Sequence, residues 1–234
     1  MKKITTSLLC IMLFLNSFAQ ISTNTIVNDN SSWTILGEVA LCSDCPVWTQ
    51  YIYFDGDSIV EDYSYKKVFS CNDKLHEITK YEGLMREQDM KTYFIPAHSE
   101  TEYLLYDFSL EEGTTFEHTG LSGSTVLLEV KFSDMVEING VLKKRLQITY
   151  APSSSTDYII DTWIEDVGSL SGILHPCKWD FDGVINTLLC YYENNELIYK
   201  NPDYLECYYE NNSVRTIEKN SCFIYPNPVD NILI

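Results

Sequence analysis

Apolar and polar positions alternate along this chain in short runs. Tyr51-Ile52-Tyr53-Phe54, Lys66-Lys67-Val68-Phe69, Thr92-Tyr93-Phe94-Ile95 and residues 125–132 are rich in aromatic and β-branched side chains. So are residues 146–150, 158–164 and 188–192. Such runs predict strands, because these side chains fit a pleated, half-buried surface. Turn clusters punctuate them at Asp55-Gly56-Asp57, 120–124, Asn139-Gly140, 152–156, Asp182-Gly183 and Asn194-Asn195. Asn139-Gly140 is the strongest hairpin signal, since both residues tolerate positive φ; it joins 135–138 to 141–148. No segment carries a long 3.6-residue apolar period with caps, so helices are expected to be few. The pattern predicts an all-β fold, an antiparallel meander curled into a barrel or sandwich.

A faint internal echo runs through the pattern. Residues 59–67 and 136–144 each hold an apolar strand, a small polar pair and a return through a double lysine. Two copies are too few for a solenoid, and two unrelated hairpins of like composition read equally well.

The N-terminus breaks the alternation. Lys2 and Lys3 precede an apolar run from Leu8 to Leu15, and Ser17-Phe18-Ala19 supplies small residues for cleavage before Gln20. This is the layout of a secretory signal peptide over 1–19. The run is too short to cross a bilayer, which takes about 20 residues. No later segment is long enough either, so no transmembrane segment is expected after cleavage. Losing two lysines takes the net charge from −18 to −20. Such a surface repels nucleic acid and anionic lipid.

The alternation predicts a β-rich domain over 20–208. A polar linker follows at 209–221, and a new apolar segment opens at 222–234. Within it, Tyr225-Pro226-Asn227-Pro228 followed by Ile232-Leu233-Ile234 resembles the opening of the C-terminal sorting domain of type IX secretion. That domain is a small Ig-like β-sandwich that addresses cargo to the bacterial outer membrane. Its later glycine and lysine motifs do not occur here, so only a truncated start is expected. Stretches across 51–192, among them residues 104–110 and 163–169, resemble uncharacterised secreted proteins that carry such tails. The resemblance implies export through the periplasm, the type IX machinery as partner, and a secreted or cell-surface location.

Export changes the reading of the eight cysteines, of which Cys10 leaves with the leader. Disulfides are expected in an oxidising compartment, and the odd remainder leaves at least one thiol unpaired within the chain. Cys190 and Cys207 form the first candidate pair. A strand at 188–192, a turn at Asn194-Asn195, a return at 196–199, a turn at 201–203 and a third strand at 204–208 would bring the chain back to its start. Cys177–Cys190 and three free thiols remain the alternatives.

Candidate chemistry is sparse. Cys42-Ser43-Asp44-Cys45 has the spacing of a redox dithiol or half a zinc site, but lacks the βαβ context of the first and the second ligand pair of the second. A structural loop is the simpler reading. His76, His98, His118 and His175 form no local motif, and H-E-x-x-H is absent. Gly168-Ser169-Leu170-Ser171-Gly172 looks like a nucleophile elbow but has Leu170 where serine is required. Asp55-Gly56-Asp57 and Asp180-Phe181-Asp182-Gly183 offer oxygens to Ca2+, yet neither fits an EF-hand loop and both suit tight turns. No cofactor is expected. The 17 tyrosines and four tryptophans suit either cross-strand packing or stacking on sugars.

Two functions remain. The first is a secreted, non-catalytic β-protein that binds glycan or protein outside the cell; a flat aromatic face would favour it. The second is an extracellular hydrolase of glycan or peptide; a cleft with two carboxyl groups roughly 5–10 Å apart would favour that.

Overall fold

The computed structural model describes residues 26–42, 44–151, 158–177 and 183–210. Strands make up 59% of them, no helix occurs among them, and two curled antiparallel sheets carry the fold. The all-β expectation holds. The strands in chain order are β1 (Ser31–Val39), β2 (Trp48–Val60), β3 (Tyr63–Cys71), β4 (Thr79–Gln88), β5 (Lys91–Pro96), β6 (Tyr103–Asp107) and β7 (Thr115–Thr119). There follow β8 (Thr125–Ile138), β9 (Val141–Tyr150), β10 (Asp161–Ile164), β11 (Gly168–Ser169), β12 (Val184–Glu193) and β13 (Glu196–Lys200). The larger sheet has the order β13-β12-β1-β2-β3-β4-β5-β6, and the smaller β11-β10-β9-β8-β7. Both are meanders, except that the last hairpin, β12–β13, returns to lie beside β1.

One core fills the space between the sheets. Ile52, Phe54, Val68, Met85 and Phe94 enter it from the larger sheet, and Leu128, Val130, Leu146 and Ile148 from the smaller. Trp33 and Trp163 are fully buried in it, each met edge-on by an aromatic ring, Phe54 and Tyr106 respectively. Burying rings of this size dominates the hydrophobic gain. The sheets are also joined by hydrogen bonds: Trp33 Nε1 donates to the Val167 carbonyl at 2.8 Å, and the Tyr106 hydroxyl to the Ile173 carbonyl at 2.6 Å.

The turns explain how so many long hairpins close. Asn139-Gly140 joins β8 to β9 with φ of 49° and 78°, and Asn194-Asn195 joins β12 to β13 with φ of 52° and 62°. Two further hairpins use the same left-handed pair without its usual residues: Glu61-Asp62 (47°, 70°) and Asp89-Met90 (53°, 63°). The matching backbone twist of such turns outweighs the cost of αL in a residue like Met90. The echo is thus two real hairpins, although their turns align only after a one-residue shift.

Three readings change. Asp55-Gly56-Asp57 is not a turn: β2 runs through it, and the register slips between Phe54 and Asp57. Gly56, at φ 79°, takes up the extra residue as a bulge. Residues 204–208 form no strand; the chain crosses back as irregular backbone after Lys200. Tyr209, placed above in the linker, packs on the body: its N–H donates to Thr49 Oγ1 at 2.8 Å and its carbonyl accepts from that hydroxyl at 3.0 Å. The signal peptide, residues 152–156, Asp180-Phe181-Asp182, Cys222 and the sorting motif Tyr225-Pro226-Asn227-Pro228 lie outside the described residues.

Candidate functional site: an aromatic face and a separate cleft

Strand alternation sends every second side chain of β2, β3 and β4 away from the core. Ile52 and Phe54 point inward, so Tyr51 and Tyr53 point outward. Register then places Tyr53 opposite Phe69, and Phe69 opposite Tyr81. Their ring centroids are 5.9 Å and 5.5 Å apart, and Tyr51 lies 5.5 Å from Tyr53. The result is an aromatic stripe across three strands in the middle of the larger sheet. Tyr81 ends it at 39% exposure. At the Tyr51 end, His76 stacks on the tyrosine ring at 4.1 Å.

A separate cleft of about 470 Å³ lies at the end of the same strands, lined by Gln50, Ser70, Cys71, Asn72, Asp73, Ile78 and Lys80. Gln50 and Ser70 pair with core residues Ile35 and Ile52, so they lie on the face opposite the stripe. It suits a small ligand or part of a larger one by volume. Asp73 accepts the N–H groups of Glu77 and Ile78, which hold its carboxyl below the usual carboxylate range. Glu82, next to the lining, is spent on Ser70 and Lys80. Burial pushes the Cys71 thiol up to about 11, so it carries almost no thiolate at neutral pH. The cleft therefore offers hydrogen bonds and an apolar wall, with neither an activated nucleophile nor a raised carboxylic acid.

Beside the stripe on the same face, Arg86 is almost fully buried among Tyr63 and Tyr93, with ring centroids at 4.3 Å and 4.0 Å. Glu102 grips it through Nε at 2.7 Å and Nη2 at 2.6 Å, and the Tyr65 hydroxyl donates to the same carboxylate at 2.5 Å. This paired, planar arrangement satisfies the charge internally. It ties β3, β4 and the loop before β6 together.

The sequence Gly168–Gly172 is a structural clasp. Ser169 Oγ donates to both oxygens of buried Asp161, at 2.9 Å and 2.7 Å, and Ser171 Oγ to one at 3.2 Å. Trp163 Nε1, Thr162 N and Cys177 N also donate to that carboxylate. Desolvation nonetheless raises the Asp161 pKa, outweighing the donors. Both serines are buried, so neither is placed to attack a substrate.

A last polar cluster sits where residues 26–30 cross the end of β4. The Glu87 carboxyl takes backbone N–H groups of Val27 and Ile26, while its Oε2 is buried with no hydrogen-bond partner among the described residues. Burial first, then the nearby Asp166 and Glu165 carboxylates, push Glu87 up to about 7. Asp166 itself is paired with Lys143. The adjoining cleft is only about 160 Å³, below the usual size of a ligand pocket. A carboxyl whose folded pKa exceeds its unfolded value adds stability that is full below about 4.5 and lost as pH rises through about 7. Glu87→Gln is accordingly expected to raise Tm at pH 8 by about 2–6 °C, and to leave it unchanged near pH 4, after discounting for partial exposure. Melting curves across pH check this; an equal shift at both pH values would rule it out.

Of the residues singled out from sequence, Cys190 and Cys207 are brought to disulfide distance, with Cα atoms 5.5 Å apart. Cys42 and Cys45 are likewise paired, 5.4 Å apart, in the β1–β2 loop. Cys71 and Cys177 are buried thiols. Asp57 bonds Lys66 at 2.6 Å. No group of three or more candidate metal ligands gathers among the described residues. The four histidines are dispersed, His76 on the stripe and His118 beside Trp163. No helix among the described residues is long and apolar enough to cross a membrane. The stripe itself was missed from sequence, because it depends on cross-strand register; Tyr53, Phe69 and Tyr81 show no common spacing. Comparison with protein-family models, with curated proteins and with solved structures finds no match for this chain.

Proposed function

We propose that this chain is a secreted, non-catalytic β-protein that binds a ligand outside the cell through the aromatic face of its larger sheet. The observation that carries the reading is the stripe Tyr51–Tyr53–Phe69–Tyr81 turned away from the core. The cleft at the end of the same strands has one lining carboxylate, which backbone donors hold ionised. Partly exposed aromatic rings in a row offer apolar surface whose desolvation on binding is favourable. The leader at 1–19 and the Tyr225-Pro226-Asn227-Pro228 segment support export and delivery by the type IX machinery.

The test is a screen of the purified mature chain against extracellular glycans and peptides, scored for both binding and product release. Binding without turnover is expected. Release of products by the pure chain would favour the hydrolase instead. Export has its own check: the secreted chain is expected to begin at Gln20.

A further inference from the structure

We infer that Lys143 and Asp166 are the two halves of an intramolecular isopeptide bond, a side-chain amide that this chain forms on itself, with Glu87 as the group that moves the proton. The inference goes beyond the binding reading above and does not depend on it.

Burial sets this pair apart among the described residues. Lys143 Nζ donates to Asp166 Oδ2, and the two side chains are only 10% and 11% exposed. In each other Lys–carboxylate pair at least one side chain is 36% exposed or more. Arg86 is buried on Glu102, but a guanidinium keeps its proton and cannot act as a nucleophile. Burying two charges is costly, and moving one proton from the ammonium to the carboxylate removes both. Burial accordingly raises Asp166, against the Lys143 bond that lowers it. A neutral amine then lies against a carboxylic acid, the two reactants of an amide.

The backbone holds the reactants together. Glu165 N donates to the Lys144 carbonyl at 2.9 Å, and Glu165 Oε2 accepts from Lys144 N at 3.1 Å. The chain neighbours of Lys143 and Asp166 are thus tied to each other twice. On the other side of Asp166, the Val167 carbonyl accepts from Trp33 Nε1 at 2.8 Å. Asp166 sits between these anchors in the left-handed region, at φ 64°. Two groups fixed in this way react as if at local concentrations of up to about 10⁵–10⁸ M.

Glu87 supplies the proton path. Its Oε2 is buried with no hydrogen-bond partner among the described residues, and Asp166 is the first of the carboxylates that act on it. Held up at about 7, Glu87 populates both its forms at neutral pH, as a proton shuttle must. The Lys143 Nζ lone pair adds to Asp166 Cγ and the C–N bond forms. Glu87 takes a proton from that nitrogen and passes it to the departing oxygen, so the C–O bond breaks and one water leaves. An ammonium and a carboxylate have become one neutral amide and one water. No oxidant, cofactor or second substrate enters. With the Asp166 charge gone, burial still holds Glu87 up.

The experiment is the intact mass of the full mature chain after denaturation and reduction, followed by peptide mapping. A mass one water short is expected, with a branched peptide joining Lys143 to Asp166. Lys143→Met should restore the full calculated mass. Lys66→Met, at a pair open to water, should leave the water missing. Glu87→Gln should keep most of the freshly purified chain at full mass, since a general acid–base contributes about 10²–10⁴-fold in rate. Circular dichroism of that variant should match the parent, which separates a missing bond from a failure to fold. Its melting comparison above is read in the Lys143→Met background, where neither chain can close the bond. Full mass in the unsubstituted chain overturns the inference without recourse to any variant. So does a water loss mapped to one linear peptide, as an aspartyl imide gives, or one that survives Lys143→Met. A Glu87→Gln chain as fully linked as its parent would overturn the role given to Glu87.

Discussion

Asp161→Ala is expected to be the most damaging single substitution away from the apolar core, costing about 3–5 kcal/mol and lowering Tm by roughly 10 °C or more. The carboxylate accepts from Ser169, Ser171, Trp163 Nε1 and the backbone N–H groups of Thr162 and Cys177. Removing it leaves those donors buried together without an acceptor, each with its own desolvation penalty. The damage spreads, because the clasp also sets the carbonyls that receive Tyr106 and Trp33 from the other sheet. Asp161→Asn should recover only part of the loss, since its NH2 group would face N–H donors. Urea titration with intrinsic tryptophan fluorescence measures this. A change below about 1 kcal/mol for the alanine variant would show that the network is incidental.

Loss of the Cys190–Cys207 link is expected to cost about 3 kcal/mol, as the loop-entropy model gives for a bridge of this span, or about 6–12 °C in Tm. The two residues are 17 apart in sequence. They bracket a small second core of Leu36, Leu189 and Cys190, covered by Tyr192, Tyr204 and Tyr209 on the outer side of the larger sheet. Cys207→Ser would loosen that cover as well as lengthen the free loop. Peptide mapping without reduction should return Cys190 joined to Cys207 and Cys42 joined to Cys45, with Cys71 and Cys177 as thiols. Cys190 joined to Cys177, or recovered free, would show the assignment wrong.

The strand pattern was legible wherever it was dense in Tyr, Val and Ile, as in β2, β5, β8 and β12. It failed at β4, where Thr79–Gln88 reads as polar and charged. There Arg86 is buried because Glu102 and three tyrosine rings satisfy it, which no local propensity reports. Gly83 within that strand is required by proximity, since a Cβ would lie 2.1 Å from the Ile95 carbonyl. The Asn-Gly and Asn-Asn turns were readable because their residues accept positive φ, whereas Asp89-Met90 was hidden because Met90 stands where Gly or Asn is usual. The proximity of Cys190 and Cys207 was anticipated through a third strand that does not form. Asn201 holds the returning chain instead, donating from its side chain to the Leu188 carbonyl at 2.9 Å. The aromatic stripe needed register, and register is set by the bulges after Phe54 and Val68, which alternation alone does not locate.

The path of the chain after β13 has a mechanical consequence. β13 is an edge strand held on one side only, and tension on its C-terminal end would peel it from β12 one hydrogen bond at a time. The chain does not leave from there. With the bridge formed, a pull applied beyond Glu210 meets Thr49 of β2 through Tyr209 and then Cys190 of β12 through Cys207. Both are interior strands of the larger sheet. The load bypasses the weak edge and enters the middle of the sheet, where several ladders must shear at once. A protein tethered by its C-terminal side and pulled by a ligand on its aromatic face would thus keep β13 in place under force.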